Sequence, residues 1–190
     1  MSILYSIKQN FNGFVLAALA ISCVAPATAQ SKGAEPMQFA TPEAMAEEMG
    51  DFSPETGAFK VLKRKPLHIR LTINGDGLTR DPQYLAEDFF RAFQWGVWRT
   101  FLHTKADQVT VTVVSPTPVD GHKTMTATVT RAKALQVAQD QLGVQGFADL
   151  ITPHQTWTDV MKRCRYSDSG RPGLRACTLA LAGKDGAIKP

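Results

Sequence analysis

Hydrophobic and polar positions follow two rhythms along this chain. From Leu67 to Ile73 the period is two: Leu67, Ile69, Leu71 and Ile73 point one way, and His68, Arg70 and Thr72 the other. That predicts a strand with one buried and one wet face. Gln108 to Val114 repeats the pattern, with Val109, Val111 and Val113 against Thr110 and Thr112. Thr124 to Thr130 repeats it again, with Met125, Ala127 and Val129 inward. The stretch Ser115 to Gly121 carries two prolines and a glycine and predicts a loop, so the second and third strands are expected to pair as an antiparallel hairpin.

Between the first two strands the period becomes helical. Asp81-Pro82 supplies a cap and a first-turn proline. Leu85, Phe89, Phe93, Val97 and Phe101 then recur every fourth residue, widened by Phe90, Trp98 and Leu102. This predicts a helix running to His103 whose apolar face is broad enough to cover a sheet. Thr41-Pro42-Glu43 starts a short helix that Gly50 stops, and Arg131 to Leu142 forms another, stopped by Gly143. Thr156-Trp157-Thr158-Asp159 reads as the capped start of a helix ending at Arg165, with basic residues in its last turn. Leu174 to Ala182 reads both ways: Leu179 and Leu181 alternate, whereas the alanines suit a helix.

The predicted fold class is α+β: an antiparallel sheet of three or four strands with helices packed on one face. If Leu174 to Ala182 is a strand, the βαββαβ order of a ferredoxin-like fold becomes available.

The first 29 residues read as an address rather than as fold. Lys8 precedes an apolar run from Phe14 to Ile21, followed by Pro26 and the small-x-small tripeptide Ala27-Thr28-Ala29. That order is the secretory pattern, with cleavage expected after Ala29. Lipidation at Cys23 is the rival route, on a looser motif. The expected organisation is a signal peptide over 1–29, an acidic arm with a short helix over 30–58, and one α+β domain over 59–190. The expected location is the periplasm or the outside of a bacterial envelope.

Export changes the meaning of the cysteines. Without Cys23, Cys164 and Cys177 remain, thirteen positions apart. In an oxidising compartment such a pair predicts a disulfide; the alternative is a free thiol, which no histidine nearby in sequence would activate.

Charge matters by distribution rather than by sum, since the formal net charge is only +4. Acids crowd residues 35–55, and Lys60, Lys63, Arg64, Lys65 and Arg70 follow at once. The adjacent blocks suggest that the acidic arm lies back across the basic strip. The strip itself suits an anionic surface component, and it lacks the exposed aromatic pair of an RNA-binding sheet. On the long helix, Arg91, Trp95 and Arg99 share a face away from the main apolar stripe. Trp95 reads either as a partner-binding anchor or as an internally packed ring, covered by the short N-terminal helix or stacked on Arg91 or Arg99.

Catalytic signatures are missing. The four histidines, His68, His103, His122 and His154, have no metal-ligand spacing, and no G-x-S-x-G elbow occurs. The loop Asn74-Gly75-Asp76-Gly77 lacks the spacing of a phosphate or calcium loop. No cofactor or metal is implied. The sequence therefore predicts a small exported binding or assembly module rather than an enzyme. Its partner-binding residues are Arg91, Trp95, Arg99, Lys63, Arg64 and Lys65, and its partner is an envelope protein or an anionic surface component. The alternative is an envelope hydrolase in which His68 or His122 meets Asp76 or Asp120 in space.

Overall fold

A computed structural model of the chain describes residues 34–73, 82–119, 121–167, 170–183 and 187–189. The chain divides into the units Met1–Gln30 and Ser31–Pro190, and every described residue belongs to the second. The expected signal segment, the loop Asn74 to Gly77 and the expected cap Asp81 lie outside the described residues.

The period-two segments form strands with the expected inward faces. In chain order the elements are α1 (Pro42–Met49), β1 (Phe59–Arg64), β2 (Leu67–Thr72), α2 (Pro82–His103), β3 (Gln108–Val119), β4 (His122–Thr130), α3 (Arg131–Leu142), a 3-10 turn (Phe147–Leu150), α4 (Asp159–Arg165), α5 (Leu174–Ala182) and β5 (Ala187–Lys189). The strands make one sheet in sequence order, four long strands with three-residue β5 at the edge beside β4. Ile69, Leu71, Val109, Val111, Val113 and Met125 are fully buried. The opposite side chains of β2, β3 and β4 stay half-buried or exposed.

The sheet is mixed, which corrects the expectation of a purely antiparallel one. β2 and β3 run parallel, with Leu67 opposite Val109 and Leu71 opposite Val113; the other pairings are antiparallel. The cause is α2. A tight turn reverses the chain, whereas a 22-residue helix laid along the sheet carries it back to the end where it began. Ser115 to Val119 also departs from expectation: it continues β3 as extended backbone past a register shift, rather than forming a loop.

Leu174 to Ala182 is a helix. Leu174, Cys177, Thr178, Leu181 and Ala182 are its buried residues, a three-to-four-residue spacing that strand alternation would split between two faces. The ferredoxin-like order needed this segment as a strand, and it is not confirmed.

The caps behave as their chemistry requires. Thr41, Thr130 and Thr158 accept hydrogen bonds from the backbone N–H groups of Ala44, Lys133 and Met161. Gly50 and Gly143 close α1 and α3 in the left-handed region at φ 70° and 71°. Arg131 caps α2 from outside: its guanidinium donates to the carbonyls of Phe101, Thr104 and Ala106 at 2.6–3.0 Å.

The disulfide forms between Cys164 and Cys177, whose Cα atoms are 5.5 Å apart, and it joins α4 to α5. Gln94 holds the same junction from α2. Its amide nitrogen lies 3.0 Å from the carbonyls of Cys164 and Leu174 and from the Thr178 hydroxyl. Among the described residues no helix is long and apolar enough to cross a membrane.

Candidate functional site

Two places in the fold collect side chains that core packing does not explain. The first is the sheet face turned away from the helices. β1 was not legible as a strand, and it brings the basic strip onto this face. Lys60 lies opposite Arg70, and Lys63 lies opposite His68. Directly opposed residues of an antiparallel pair share a face, so both lysines stand beside the wet side chains of β2. They are three residues apart, and regular alternation would put them on opposite faces. The register shift between Val61 and Lys63 removes that conflict.

Across the rest of the face runs a hydroxyl grid. Thr110 and Thr128 are 2.8 Å apart oxygen to oxygen, as are Thr112 and Thr126, and His68 Nε2 is 2.9 Å from Thr112 Oγ1. The five strands contain no Asp or Glu, while Lys60, Lys63, Arg64, Arg70, Lys123 and Lys189 lie on them. Among the described residues the ion pairs are Arg64–Glu43, Arg91–Glu87, Arg91–Asp88 and Lys162–Asp159. Lys60, Lys63, Lys65 and Arg70 thus have no carboxylate at ion-pair distance among those residues. Burial first, and then the Lys63 ammonium, hold the His68 ring below the ordinary histidine pKa.

Arg64 behaves differently from its neighbours. It lies opposite Leu67, hence on the helix side, and pairs with Glu43 of α1 at 2.7 Å. This is the one ion pair the structure shows between the acidic arm and the basic strip. The arm docks chiefly through its apolar residues, since Met45 and Ala46 of α1 are fully buried.

The second place is a cluster of arginines around Trp157. Arg99 is 5% exposed and its guanidinium sits 4.0 Å from the centre of the Trp157 ring. It donates to the Gln155 carbonyl at 2.8 Å and lies 3.1 Å from His103 Nε2. Arg165 is 7% exposed, 4.9 Å from the same ring, and donates to the Arg91 carbonyl at 3.3 Å. Neither forms an ion pair among the described residues. Burial pulls both pKa values down to about 10, so both remain charged at neutral pH. Arg91 is neutralised by Glu87 at 2.6 Å and Asp88 at 3.7 Å, and it faces the Tyr166 ring at 5.6 Å.

Of the sequence-predicted residues, Trp95 is fully buried. Its indole donates to Asp51 Oδ2 at 2.5 Å and packs edge-on against Phe52 and Phe59. Internal packing is therefore the alternative the structure shows, through Asp51, Phe52 and Phe59 rather than α1, and beyond these the ring reaches only the wall of a cavity. Arg99 is likewise interior. Lys63 and Lys65 are exposed, as is the paired Arg64, and Arg91 is half-buried. His68 and His122 stand on β2 and β4, while Asp76 and Asp120 lie outside the described residues. Among the described residues no group of His, Cys, Asp or Glu is placed to hold a metal ion. Trp157, Arg165 and the open-face threonines were missed as site residues. The Thr-x-Thr repeats at 110–112 and 124–130 were the one available signal.

Fold and site together define a disulfide-bonded α+β protein with a carboxylate-free sheet bearing one open face. None of the known protein families, curated proteins or solved structures compared with the chain matches it.

Proposed function

We propose that the chain is a small non-catalytic binding module of the bacterial envelope that docks its open sheet face on an anionic lipid surface. The observation that carries this reading is the segregation of charge: Lys60, Lys63 and Arg70 share a face with hydroxyls and His68, and the strands contribute no acid. A row of cations with no carboxylate at ion-pair distance among the described residues attracts phosphate headgroups at about 1 kcal/mol per Lys or Arg. The threonine hydroxyls add neutral donors to phosphate and glycerol oxygens. Leu62, 49% exposed at the register shift of β1, is an apolar side chain available at the same edge. The Cys164–Cys177 bridge supports an oxidising compartment, in line with the secretory pattern of residues 1–29.

Co-sedimentation of the oxidised protein with vesicles tests the reading. Binding is expected to phosphatidylglycerol vesicles and not to phosphatidylcholine vesicles. It should weaken steeply as salt shortens the screening length from about 10 Å at 0.1 M to about 3 Å at 1 M. Equal binding to both lipids, or none to either, contradicts it.

A further inference from the structure

A cavity of about 290 Å³ opens where β2 ends and α2 passes over it. Its walls include Thr72 and Ile73 at the carboxyl end of β2. Aromatic and apolar lining comes from Phe52, Ile73 and Trp95. Four charged side chains also line it: Arg91, Arg165, Asp51 and Asp88.

These charges are not equivalent. Arg91 already has Glu87 and Asp88 on its guanidinium. Arg165 has one hydrogen bond, to the Arg91 carbonyl, and its Nε is buried without a partner. A guanidinium carries five N–H donors in a fork that matches a carboxylate. Arg165 is therefore a desolvated cation with no carboxylate at ion-pair distance among the described residues, held in place by the Trp157 ring, and Asp51 favours its charge from farther off. Asp51, near enough to favour the Arg165 charge, is exposed, and one of its oxygens takes the Trp95 N–H. Among these four described side chains the formal charges cancel. A phosphate dianion entering here meets Asp51 and Asp88, and a simple cation meets Arg165. A ligand that is neutral overall but dipolar satisfies both sides.

We infer that this cavity binds a small zwitterion, an apolar amino acid or a dipeptide. Its carboxylate would lie on Arg165, its ammonium on Asp51, and its side chain against Phe52, Ile73 and Trp95. The volume sits at the lower end of small-molecule pockets, which run from roughly 300 to 1,000 Å³. The inference rests on Arg165 and Asp51 and not on Lys60, Lys63 or Arg70, so it holds or fails independently of lipid binding.

Titration calorimetry of the oxidised protein tests it with leucine, phenylalanine and leucyl-leucine, together with their amides, their N-acetyl derivatives and inorganic phosphate. At least one free zwitterion is expected to bind, blocking either end should weaken binding at least tenfold, and phosphate should not bind. Asp51→Asn keeps an acceptor for the Trp95 N–H while removing the charge. It is expected to weaken the free zwitterion at least tenfold and to leave the weak binding of the N-acetyl form unchanged. Arg165→Met should abolish binding, and the Asp51→Asn result stands if that variant fails to fold. No binding by any zwitterion at millimolar concentration, equal binding by the blocked forms, or preference for phosphate overturns the inference.

Discussion

Lys63 stands opposite His68 across the β1–β2 pair, and its ammonium helps hold the His68 ring neutral. With no carboxylate on any strand, a proton taken up by His68 would meet the Lys63 ammonium uncompensated by any acid of the sheet. A fold that seeks only stability would place an acid there. The uncompensated face is the physical reason for assigning this sheet a binding role.

Acid should weaken the fold through its histidines. His68 is held below the ordinary histidine range by burial and by Lys63. His103 is held there by burial and by Arg99, against a backbone hydrogen bond to Met37 that favours its charge. In the unfolded chain both rings take up protons near the ordinary histidine value of 6.5, whereas the folded chain resists. Their contribution is therefore complete above pH 6.5 and is lost as pH falls through and below it. Urea midpoints measured from pH 8 down to pH 5 should fall, and His68→Thr should flatten part of that fall. A midpoint that rises with acid contradicts the assignment.

Reduction should cost the protein much of its margin. The bridge closes a loop of thirteen positions between two fully buried sulfurs, which the chain-entropy account values at about 3 kcal/mol. Guanidinium unfolding with and without dithiothreitol measures this directly. Identical midpoints, with thiol titration confirming that the bridge has opened, contradict it.

Gly96 is required where α2 crosses the sheet. A Cβ there would lie 2.8 Å from Val111 Cγ1 and 3.1 Å from Leu71 Cδ1. Gly96→Ala gains about 1 kcal/mol of helix propensity. Overpacking costs about 1–3 kcal/mol. The expected net is destabilisation by about 1 kcal/mol, more for Gly96→Val. A stabilised alanine variant would show that the helix can lift off without loss.

Much of the scaffold was legible because its signals are local. Thr41 and Gly50 bracket α1, Gly143 stops α3, and the valine–threonine alternation marks β3 and β4. β1 was hidden because Phe59 to Arg64 is an edge strand carrying three basic residues, with a register shift that breaks its period. α5 was ambiguous because a nine-residue apolar run suits either period until its neighbours choose. The site was less legible than the fold. Lys60 and Lys63 share a face only through that register shift, and the Trp157 cluster joins Arg99 on α2 to Arg165 on α4. Trp95 illustrates the limit: its helical position is evident in sequence, but Phe52, Phe59 and Asp51, which cover it, come from a preceding loop and strand.

The most direct test replaces the cations of the open face together, as Lys60→Gln, Lys63→Gln and Arg70→Gln. Vesicle partitioning of that variant is then compared with the parent protein on phosphatidylglycerol. At about 1 kcal/mol per charge, the account predicts binding weaker by roughly 100-fold, with the unfolding midpoint little changed. Undiminished partitioning by a folded triple variant would contradict it.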